Sequence, residues 1–521
     1  MVRPGVACEF PAAAIATPHY LASATGLAVL ATGGNALDAA VAANLTLGVV
    51  APYLCGYGGD LFAIVWDGER AHGYLGSGRS PAAATIEALR HRLDDPAAGM
   101  PVLGPHSVTV PGAVAGWFDL LERFGTRPFA ELAADARRLA AEGFPLTPDG
   151  ARAITDHGPL YADRPTWAAC YGSARPGATL HQPGLARLLD RLGADGPDAY
   201  YRGPVAEAIV AAVGEAGGLL TTADLAAHAG EWAEPLRVGF RDRTILELPP
   251  PTQGVAAAVA FGVLDRVGYT APGTVERVHT LVEVAKAALV VRDRHVSDPA
   301  WMPEPAAALL DDRRLDTLAA GLPGERAAPW PRRPAADGGT AYLAAADRDG
   351  MLVSLIQSNF LGFGSGIHVP AWGVNLNNRG SSFRLDPAHP NALVGGKRPL
   401  HTLIPALVLR DGRAETAFGT MGGHAQLPVQ LQVATALVDD GADPQAAVAA
   451  PRFRVEVGDG RVCLERRAPP ELVEGLRARG HRVEVTRSYD PGMGHAHVVT
   501  GRPGRWRVGV DPRCEGGALG C

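Results

Sequence analysis

The chain has 521 residues, 47% hydrophobic and 20% charged, with a net charge of −6. This is a globular composition without a basic run, which argues against nucleic acid or a membrane surface as a partner. The N-terminal stretch predicts no signal peptide, and no apolar run is long enough to span a membrane. Six cysteines without CxxC spacing predict neither a disulfide framework nor a zinc site, so a cytoplasmic location is the simplest expectation.

The first half of the chain predicts helices separated by glycines, with one hairpin. A small-residue helix over 20–32 ends at a Gly-Gly pair, and Asn35 is expected to cap the next helix, which runs to about residue 50. Residues 60–77 predict two strands joined by an Asp-Gly turn. Apolar periodicity predicts further helices over 112–125, 128–143 and 274–297.

The second half changes to strands after a linker. Residues 321–339 are rich in proline and glycine and predict an exposed linker. Two helices are predicted over 424–440 and 470–479. Since helices and strands come in blocks, the pattern favours a layered α+β or αββα fold over a doubly wound parallel sheet. The predicted strands lie near 340–346, 351–359, 367–376, 403–410 and 414–419.

Thr340 begins the strand that follows the linker, and its hydroxyl is a candidate nucleophile. A threonine hydroxyl is a weak nucleophile unless a base lies beside it, and an N-terminal amine with a pKa of about 7.7–8.0 is such a base. Thr340 gains that amine only if the bond after Gly339 is cut. Gly338 and Gly339 leave this bond sterically open, which predicts fragments of residues 1–339 and 340–521. An ordinary turn into a strand is the alternative.

Five motifs occur in order between about residue 14 and residue 510. They are "GGNALDAAVAANLTLGVV", "CGYGGDLFAIV", "VPGAVAGWFDLLERFG", "HTLVEVAKAALVVRDRHVSDP", and the run from Thr340 through "FGSG" and "GVNLNNRGSSF" to "RPLHTLIPALV" and "GTMGG". Their order and spacing resemble the gamma-glutamyl transpeptidase family of N-terminal-nucleophile hydrolases. The resemblance implies a four-layer αββα sandwich and an α/β heterodimer cut from one precursor, or a dimer of such heterodimers. It implies no metal and no organic cofactor.

The resemblance also implies roles for individual residues. Thr340 would cut the chain and then accept the acyl group of the substrate, and Ser358 would hydrogen-bond the Thr340 hydroxyl. The backbone N–H groups of Gly422 and Gly423 would stabilise the tetrahedral oxyanion. Asn378 would lie beside the pocket. A strand serine without a catalytic role remains the alternative for Ser358.

Six positions depart from the family's pattern where it holds a glutamyl group. An unpaired ammonium or carboxylate in a closed pocket is costly, so these changes predict that glutathione is not the natural substrate. The departures are Ile86 (arginine in the family), Phe360 (asparagine), Arg379 (glutamine), Ser382 (an acidic residue), and His401 and Thr402 (a pair of serines).

The segments "NNRGSSF" and "RPLHTLIPA" instead resemble the branch of the family that hydrolyses amides of acids lacking an α-amino group, such as oxamate amidohydrolase and glutaryl-type cephalosporin acylases. Arg379 would then bind a substrate carboxylate with its planar guanidinium, and His401 would be a second donor. A structural salt bridge for Arg379 and a buried, satisfied histidine for His401 are the alternatives.

Other functions stay open on the sequence. They are a true gamma-glutamyltransferase or glutathione hydrolase, a homologue that cleaves a C–C or acyl bond in secondary metabolism, and an inactive relative kept for binding. His495 and His497 lie on one face of a strand, but no third metal ligand is evident beside them. The main prediction is therefore a self-cleaving amidohydrolase acting on a small-molecule amide or acyl substrate.

Overall fold

Two antiparallel sheets of seven strands each form the centre of the structure, a computed structural model that describes residues 6–93, 95–330 and 338–521. The sheet that contains Thr340, called the Thr340 sheet, has the order Gly517–Gly520, Ala14–Thr17, Gly339–Ala346, Leu352–Phe360, Asp60–Trp66, Ala71–Gly76 and Glu231–Ala233. The second sheet has the order Cys8–Phe10, Arg505–Val510, Ala496–Arg502, Arg413–Thr420, Ala406–Arg410, Arg243–Glu247 and Leu236–Phe240.

Apolar side chains fill the space between the two sheets. Strand alternation directs Tyr342, Ala344 and Ile356 of the Thr340 sheet into this space. There they pack against Leu407 and Val499 of the second sheet. This inner layer is the core of a sheet-on-sheet sandwich.

Helices cover the outer face of each sheet. Ala341 and Leu343, which alternate with the inward residues, pack on the outer side of the Thr340 sheet against the helices Tyr20–Ala31 and Ala36–Val50. The second sheet is covered in the same way by Gly254–Val267, Val275–His295 and Gln426–Val438. The order helix, sheet, sheet, helix confirms the predicted α+β class and the four-layer αββα sandwich.

The predicted helices occur close to their expected positions. Asn35 caps Ala36–Val50 through a capping box with Asp38, and Thr274 caps Val275–His295. Among the described residues, none of the helices combines the length and the apolar character that a membrane crossing requires. The other longer helices are Ala113–Phe124, Ala134–Glu142, Pro148–His157, Pro165–Tyr171, Pro183–Asp195, Pro204–Glu215, Asp312–Ala320, Pro444–Ala449 and Pro470–Ala478. The shorter ones are Ile86–Arg90, Phe129–Leu132, Asp198–Tyr201, Thr222–Ala226 and Ala306–Leu309.

The continuous strand predicted over 367–376 is wrong. This segment forms only the two-residue strands His368–Val369 and Val374–Asn375, which pair with each other. Pro370 cannot donate a ladder hydrogen bond, and Gly373, with a φ of 66°, turns the chain back. The linker predicted over 321–339 lies partly, at residues 331–337, outside the described residues. A small separate sheet consists of Phe453–Val455, Val462–Glu465 and Val483–Thr486.

A buried ionic cluster fixes one end of the second sheet. Asp511 lies 2.6 Å from Arg452 and 3.1 Å from Arg513, and it accepts a hydrogen bond from the backbone N–H of Ala496 at 2.7 Å. Arg513 also binds Glu465 at 2.7 Å. Burial alone would raise the pKa of Asp511, but the two guanidinium groups outweigh it and hold this pKa at about 2. The aspartate is therefore ionised and essential to the charge balance of the cluster.

Replacing Asp511 by Asn should lower the free energy of unfolding by about 3 kcal/mol at neutral pH, because the buried Arg452 loses its counter-charge and Arg513 keeps only Glu465. Since the folded-state pKa of Asp511 is depressed, this contribution is present above about pH 4 and is lost as the pH falls towards 2. Urea denaturation of both proteins across this pH range measures the difference. Asp411→Asn, at an exposed turn, is the control, and an Asp511→Asn effect that ignores pH would contradict the assignment.

Candidate functional site

The Thr340 hydroxyl takes part in a hydrogen-bond chain that ends on the carbonyl of the preceding residue. Thr340 is 1% exposed, and its Oγ1 donates to Ser358 Oγ on the neighbouring strand at 3.3 Å. The Ser358 hydroxyl donates in turn to the carbonyl oxygen of Gly339. The backbone N–H of Phe360 donates to Ser358 Oγ at 2.7 Å, which fixes the serine. Ser358 thus both orients the Thr340 hydroxyl and polarises the carbonyl beside it.

The backbone around this chain departs from regular strand pairing. Gly339 pairs with Phe360 and Ala341 pairs with Gln357, so that the register shifts at Thr340. Phe360 has a φ of 80°, in the left-handed region that a bulky side chain rarely adopts. Bulges re-aim side chains, and strained residues cluster at functional sites. Here the register shift lies where the hydroxyl groups of Thr340 and Ser358 form their hydrogen bond.

The two glycines before Thr340 are enclosed by backbone on two sides. A Cβ atom on Gly338 would lie 2.7 Å from the carbonyl oxygen of Phe360. A Cβ atom on Gly339 would lie 2.6 Å from the carbonyl oxygen of Tyr53. Larger residues therefore do not fit at either position, which explains the glycine pair at this point of the chain.

Two cavities lie beside Phe360 and the glycine pair. The first, of about 190 Å³ and called the Ser382 cavity, includes Phe360. The second, of about 340 Å³ and called the His495 cavity, includes Tyr53 and both glycines. The Ser382 cavity is also lined by Arg292, Asp293, Ser382, Phe383, Arg384, His389, Leu400 and His424. The His495 cavity is also lined by Leu54, Ala153, Leu361, Met421, Pro491 and His495.

Gly422 and Gly423 form a turn directly after the strand Arg413–Thr420. Their φ angles of 134° and 54° lie in the range that glycine adopts without strain. A single helical turn follows and leads into the helix Gln426–Val438, whose N-terminal end favours negative charge. Met421, the residue before the turn, lines the same cavity as Gly339. The turn therefore lies at the border of the Thr340 site.

Gln253 braces this glycine turn and was not predicted from the sequence. Its amide nitrogen donates to the carbonyl oxygens of Gly423 at 3.2 Å and Thr402 at 2.8 Å. Its Oε1 accepts from Arg292 at 2.8 Å, and Arg292 also donates to His424 Nδ1 at 3.0 Å. Burial, reinforced by Arg292, lowers the pKa of His424 to about 3, so this ring is neutral. One amide thus connects three chain segments that border the site.

Arg379, His401 and Thr402 meet around Asp60, a residue that the sequence analysis did not single out. Arg379 NH1 donates to Thr402 Oγ1 at 3.2 Å, and its guanidinium carbon lies 4.2 Å from the centre of the Phe360 ring. Arg379 Nε is 3.8 Å from Asp60 Oδ2, and His401 Nε2 donates to the same oxygen at 3.0 Å. All four groups are buried, so the carboxylate bound here is that of Asp60.

Burial controls the charges of this group. It raises the pKa of Asp60 to about 7, although Arg379 and the N–H of Gly78 counteract it. It lowers the pKa of Arg379 to about 9 and that of His401 far below its usual range. His401 is therefore neutral; its Nδ1 accepts from the N–H of Leu403 at 3.4 Å, and its Nε2 carries the proton. The sequence feature that could have indicated Asp60 is its place as the charged residue at the start of the apolar strand Asp60–Trp66.

Of the other predicted residues, one hydrogen-bonds backbone, one lines a cavity and one packs in an apolar cluster. Asn378 is buried and fixes backbone, since its amide accepts from the N–H of Leu361 at 3.0 Å and donates to the carbonyl of Val102 at 2.9 Å. Ser382 lines the cavity named after it. Ile86 packs on a small apolar cluster that includes Phe383.

The pair His495 and His497 does not belong to a metal-type cluster. Among the described residues, the group of possible ligand atoms within 4.8 Å of one another is His279, Glu283 and His481. Lys286 already lies 2.8 Å from Glu283 and neutralises its carboxylate. Glu283 is thus paired with Lys286, and the imidazole rings of His279 and His481 are hydrogen-bonded to each other.

Comparisons with known proteins agree on one family. Residues 22–521 match the sequence model of the family described as gamma-glutamyltranspeptidase. The chain is 36% identical over 520 residues to the glutathione hydrolase-like YwrD proenzyme of Bacillus subtilis (strain 168), covering 97% of this chain and 98% of the relative. It is 35% identical over 522 residues to the oxamate amidohydrolase proenzyme of Klebsiella pneumoniae, covering 96% and 97%. The crystal structure of cephalosporin acylase from Bacillus halodurans matches with a TM-score of 0.93 at 34% identity, covering 99% and 97%.

A double-mutant cycle on Asp60 and Arg379 measures their coupling. At pH 8, between the pKa of Asp60 (about 7) and that of Arg379 (about 9), we expect Asp60→Asn and Arg379→Met each to lower the free energy of unfolding by about 3 kcal/mol, because each leaves a buried charge uncompensated. The double variant should lose about 1–3 kcal/mol less than the sum of the two. The exposed pair Asp198 and Arg202, 2.6 Å apart, is the matched control, with a coupling of about 0.5 kcal/mol or less. Additive effects at Asp60 and Arg379 would refute the interaction.

Proposed function

Because the chain belongs to the gamma-glutamyltranspeptidase family of N-terminal-nucleophile hydrolases, we propose that it is a self-processing amidohydrolase with Thr340 as its nucleophile. The substrate is an amide of a small acid that lacks an α-amino group, of the oxamate or glutaryl type. The observation that carries the proposal is the chain of hydrogen bonds from Thr340 through Ser358 to the Gly339 carbonyl. The relatives named as proenzymes support the processing step.

In the processing step, Thr340 Oγ1 attacks the carbonyl carbon of Gly339. The Gly339–Thr340 C–N bond breaks, an ester forms on Oγ1, and the hydroxyl proton passes to the departing amine of Thr340. Ser358 lies between the donor and the carbonyl oxygen, so it orients the attack and stabilises the negative charge on that oxygen. Water then hydrolyses the ester, which leaves residues 1–339 with a carboxylate and residues 340–521 with a free amine.

In turnover, the new amine of Thr340 takes the proton from its own hydroxyl. Oγ1 attacks the substrate amide, the leaving amine receives the proton, and water resolves the acyl ester. The N–H groups of Gly422 and Gly423 stabilise the oxyanion, a contribution of about 2.7–4 kcal/mol for one such donor. Gln253 supports this turn by binding the carbonyl of Gly423.

The Ser382 cavity suits an anionic acyl group. Arg292 and Arg384 line it, and among its described lining residues the carboxylate is Asp293, which Arg292 binds at 2.7 Å. Ser382 stands where the family's ammonium-binding acid would be. Without that acid, an ammonium group would enter the cavity beside two guanidinium groups and lose its usual partner, which is costly. The names oxamate amidohydrolase and cephalosporin acylase among the relatives support this substrate class.

The two fragments would remain one unit after cleavage. Leu352–Phe360, from the second fragment, pairs with Asp60–Trp66 from the first, and Gly339–Ala346 pairs with Ala14–Thr17. Both sheets therefore contain strands from both fragments, which supports a heterodimer. The six cysteines are free thiols, which suits the reducing cytoplasm as the proposed location.

Thr340→Ala should abolish cleavage and turnover, because the attacking hydroxyl is lost. Denaturing gels and intact mass should then give one chain of 54.1 kDa, whereas the unaltered protein gives two. Ser358→Ala should slow cleavage by roughly 100-fold, and Ser358→Thr, which keeps the hydroxyl, should restore most of the rate. A Thr340→Ala protein that still splits would refute the proposed nucleophile.

Substrate choice is tested with three amides and the cleaved enzyme. We expect kcat/KM for glutaryl-p-nitroanilide, and the rate with oxamate, to exceed those for γ-glutamyl-p-nitroanilide, which differs from the glutaryl compound by its α-ammonium group. Ser382→Asp should reverse the order of the two anilides, because it supplies a partner for the ammonium. Faster turnover of the γ-glutamyl compound by the unaltered enzyme would favour a glutathione hydrolase instead.

A further inference from the structure

The His495 cavity has no part in the steps above, although it touches the reacting group. It is lined by Gly339, whose carbonyl Thr340 faces in the uncut chain, and by Met421, which precedes the oxyanion turn. Its volume of about 340 Å³ exceeds the 190 Å³ of the Ser382 cavity. The cavity is therefore large enough to hold part of a substrate next to the scissile bond.

His495 is the polar group inside this cavity that lacks a partner. The residue is 8% exposed, and neither ring nitrogen has a hydrogen-bond partner within the described part of the chain. Buried polar atoms are rarely left unpaired in folded proteins. Burial lowers the pKa of His495 to about 4, so the ring is neutral and offers one N–H donor and one acceptor nitrogen.

The backbone holds the His495 ring in a fixed relation to the oxyanion turn. The carbonyl of His495 accepts a hydrogen bond from the N–H of Met421 at 3.2 Å. The next residue, Ala496, is anchored to the buried Asp511 cluster by its N–H at 2.7 Å. The ring is therefore pre-positioned, as a binding group for a substrate must be.

The rest of the lining consists of apolar residues beside the glycines and charged residues farther along the wall. Tyr53, Leu54, Leu361 and Met421 supply apolar surface beside the glycines. Charged residues also line it: Arg152 lies 2.6 Å from Asp149, Glu515 accepts from the N–H of Asp149 at 3.2 Å, and Arg513 binds Asp511 and Glu465 outside the cavity. Asp156, His157 and Arg487 complete this part of the wall. The surface beside the glycines is thus apolar, and His495 is a buried, neutral ring of the described wall that lacks a hydrogen-bond partner.

A planar amide extends in two directions from its C–N bond, with the acyl group on one side and the amine on the other. Both glycines line the His495 cavity, and the Ser382 cavity reaches them through Phe360, whose carbonyl oxygen would lie 2.7 Å from a Cβ atom on Gly338. Cleavage leaves Gly339 as the carboxylate end of the first fragment, and withdrawal of that end would let a substrate carbonyl take its place beside Thr340. Ser382, which stands where the family's acid binds the ammonium of a glutamyl group, assigns the acyl group to the Ser382 cavity.

We propose that the His495 cavity binds the amine half of the substrate, an amine with an apolar or aromatic body, and that His495 is the residue that selects it by a hydrogen bond. This inference rests on the proposed acyl transfer to Thr340. When the amide C–N bond breaks, the amine takes the proton and departs through this cavity, while the acyl group stays on Thr340 Oγ1. His495 is a specificity residue for the leaving group and has no role in the hydrolysis of the ester.

The experiment compares two leaving groups on one acyl group, using the cleaved enzyme. Glutaryl-p-nitroanilide releases an aromatic amine, whereas glutaramate releases ammonia, which is too small to reach the His495 ring. We expect His495→Leu to lower the ratio of kcat/KM for the anilide to that for glutaramate about 10-fold, and His495→Gln to preserve most of this ratio. Ala153→Leu, which fills the cavity from the helix Pro148–His157, should lower the ratio in the same direction.

His389→Leu, in the Ser382 cavity, is the matched control, because it affects the shared acyl group and should leave the ratio unchanged. Equal losses on both substrates in His495→Leu would overturn the amine site while leaving the proposed function intact. Absence of an acyl adduct on Thr340 in the unaltered enzyme, seen by mass spectrometry, would overturn the proposed function itself. If glutaryl compounds are not substrates, the same two leaving groups on a γ-glutamyl group decide the role of His495.

Discussion

The hydroxyl of Ser358 is the interaction on which the site depends, because it touches both partners of the proposed self-cleavage. It accepts from the Thr340 hydroxyl and donates to the carbonyl of Gly339. That geometry requires the register shift at Thr340 and the left-handed φ of Phe360, whose N–H holds the serine oxygen. The strand pairing of the Thr340 sheet then fixes these atoms within a rigid layer, where a small displacement would separate them.

Around this centre, buried polar residues join segments that are distant in sequence. Asp60 binds His401 across 341 positions, and Gln253 binds the carbonyl of Gly423 across 170 positions. Neither of these two residues is proposed to react. Their hydrogen bonds hold the His401 ring, the Thr402 backbone and the oxyanion turn in place, so the surroundings of Thr340 are positioned before any substrate arrives.

The parts that could be predicted from the sequence are those encoded locally. Helix caps at Asn35 and Thr274 and the period-two strand after Thr340 depend on neighbouring residues only, and the block order of helices and strands was enough for the layered fold. Asp60 and Gln253 could not be found, because their partners are far away in the chain. Arg379 illustrates the same limit: its residue type suits a substrate carboxylate, but burial and the partner Asp60 become visible only in three dimensions.

The interleaving of strands from the two fragments affects whether the protein can refold after cleavage. Gly339–Ala346 lies between Ala14–Thr17 and Leu352–Phe360, so segments from both sides of the cut alternate within one sheet. The uncut chain folds as a unimolecular process, whereas two separated fragments would have to find each other, and their recovery would depend on concentration. Scission after Gly339 would thus follow folding and remove the covalent link between the two fragments. A cleaved protein that unfolds would then refold less readily than the uncut chain.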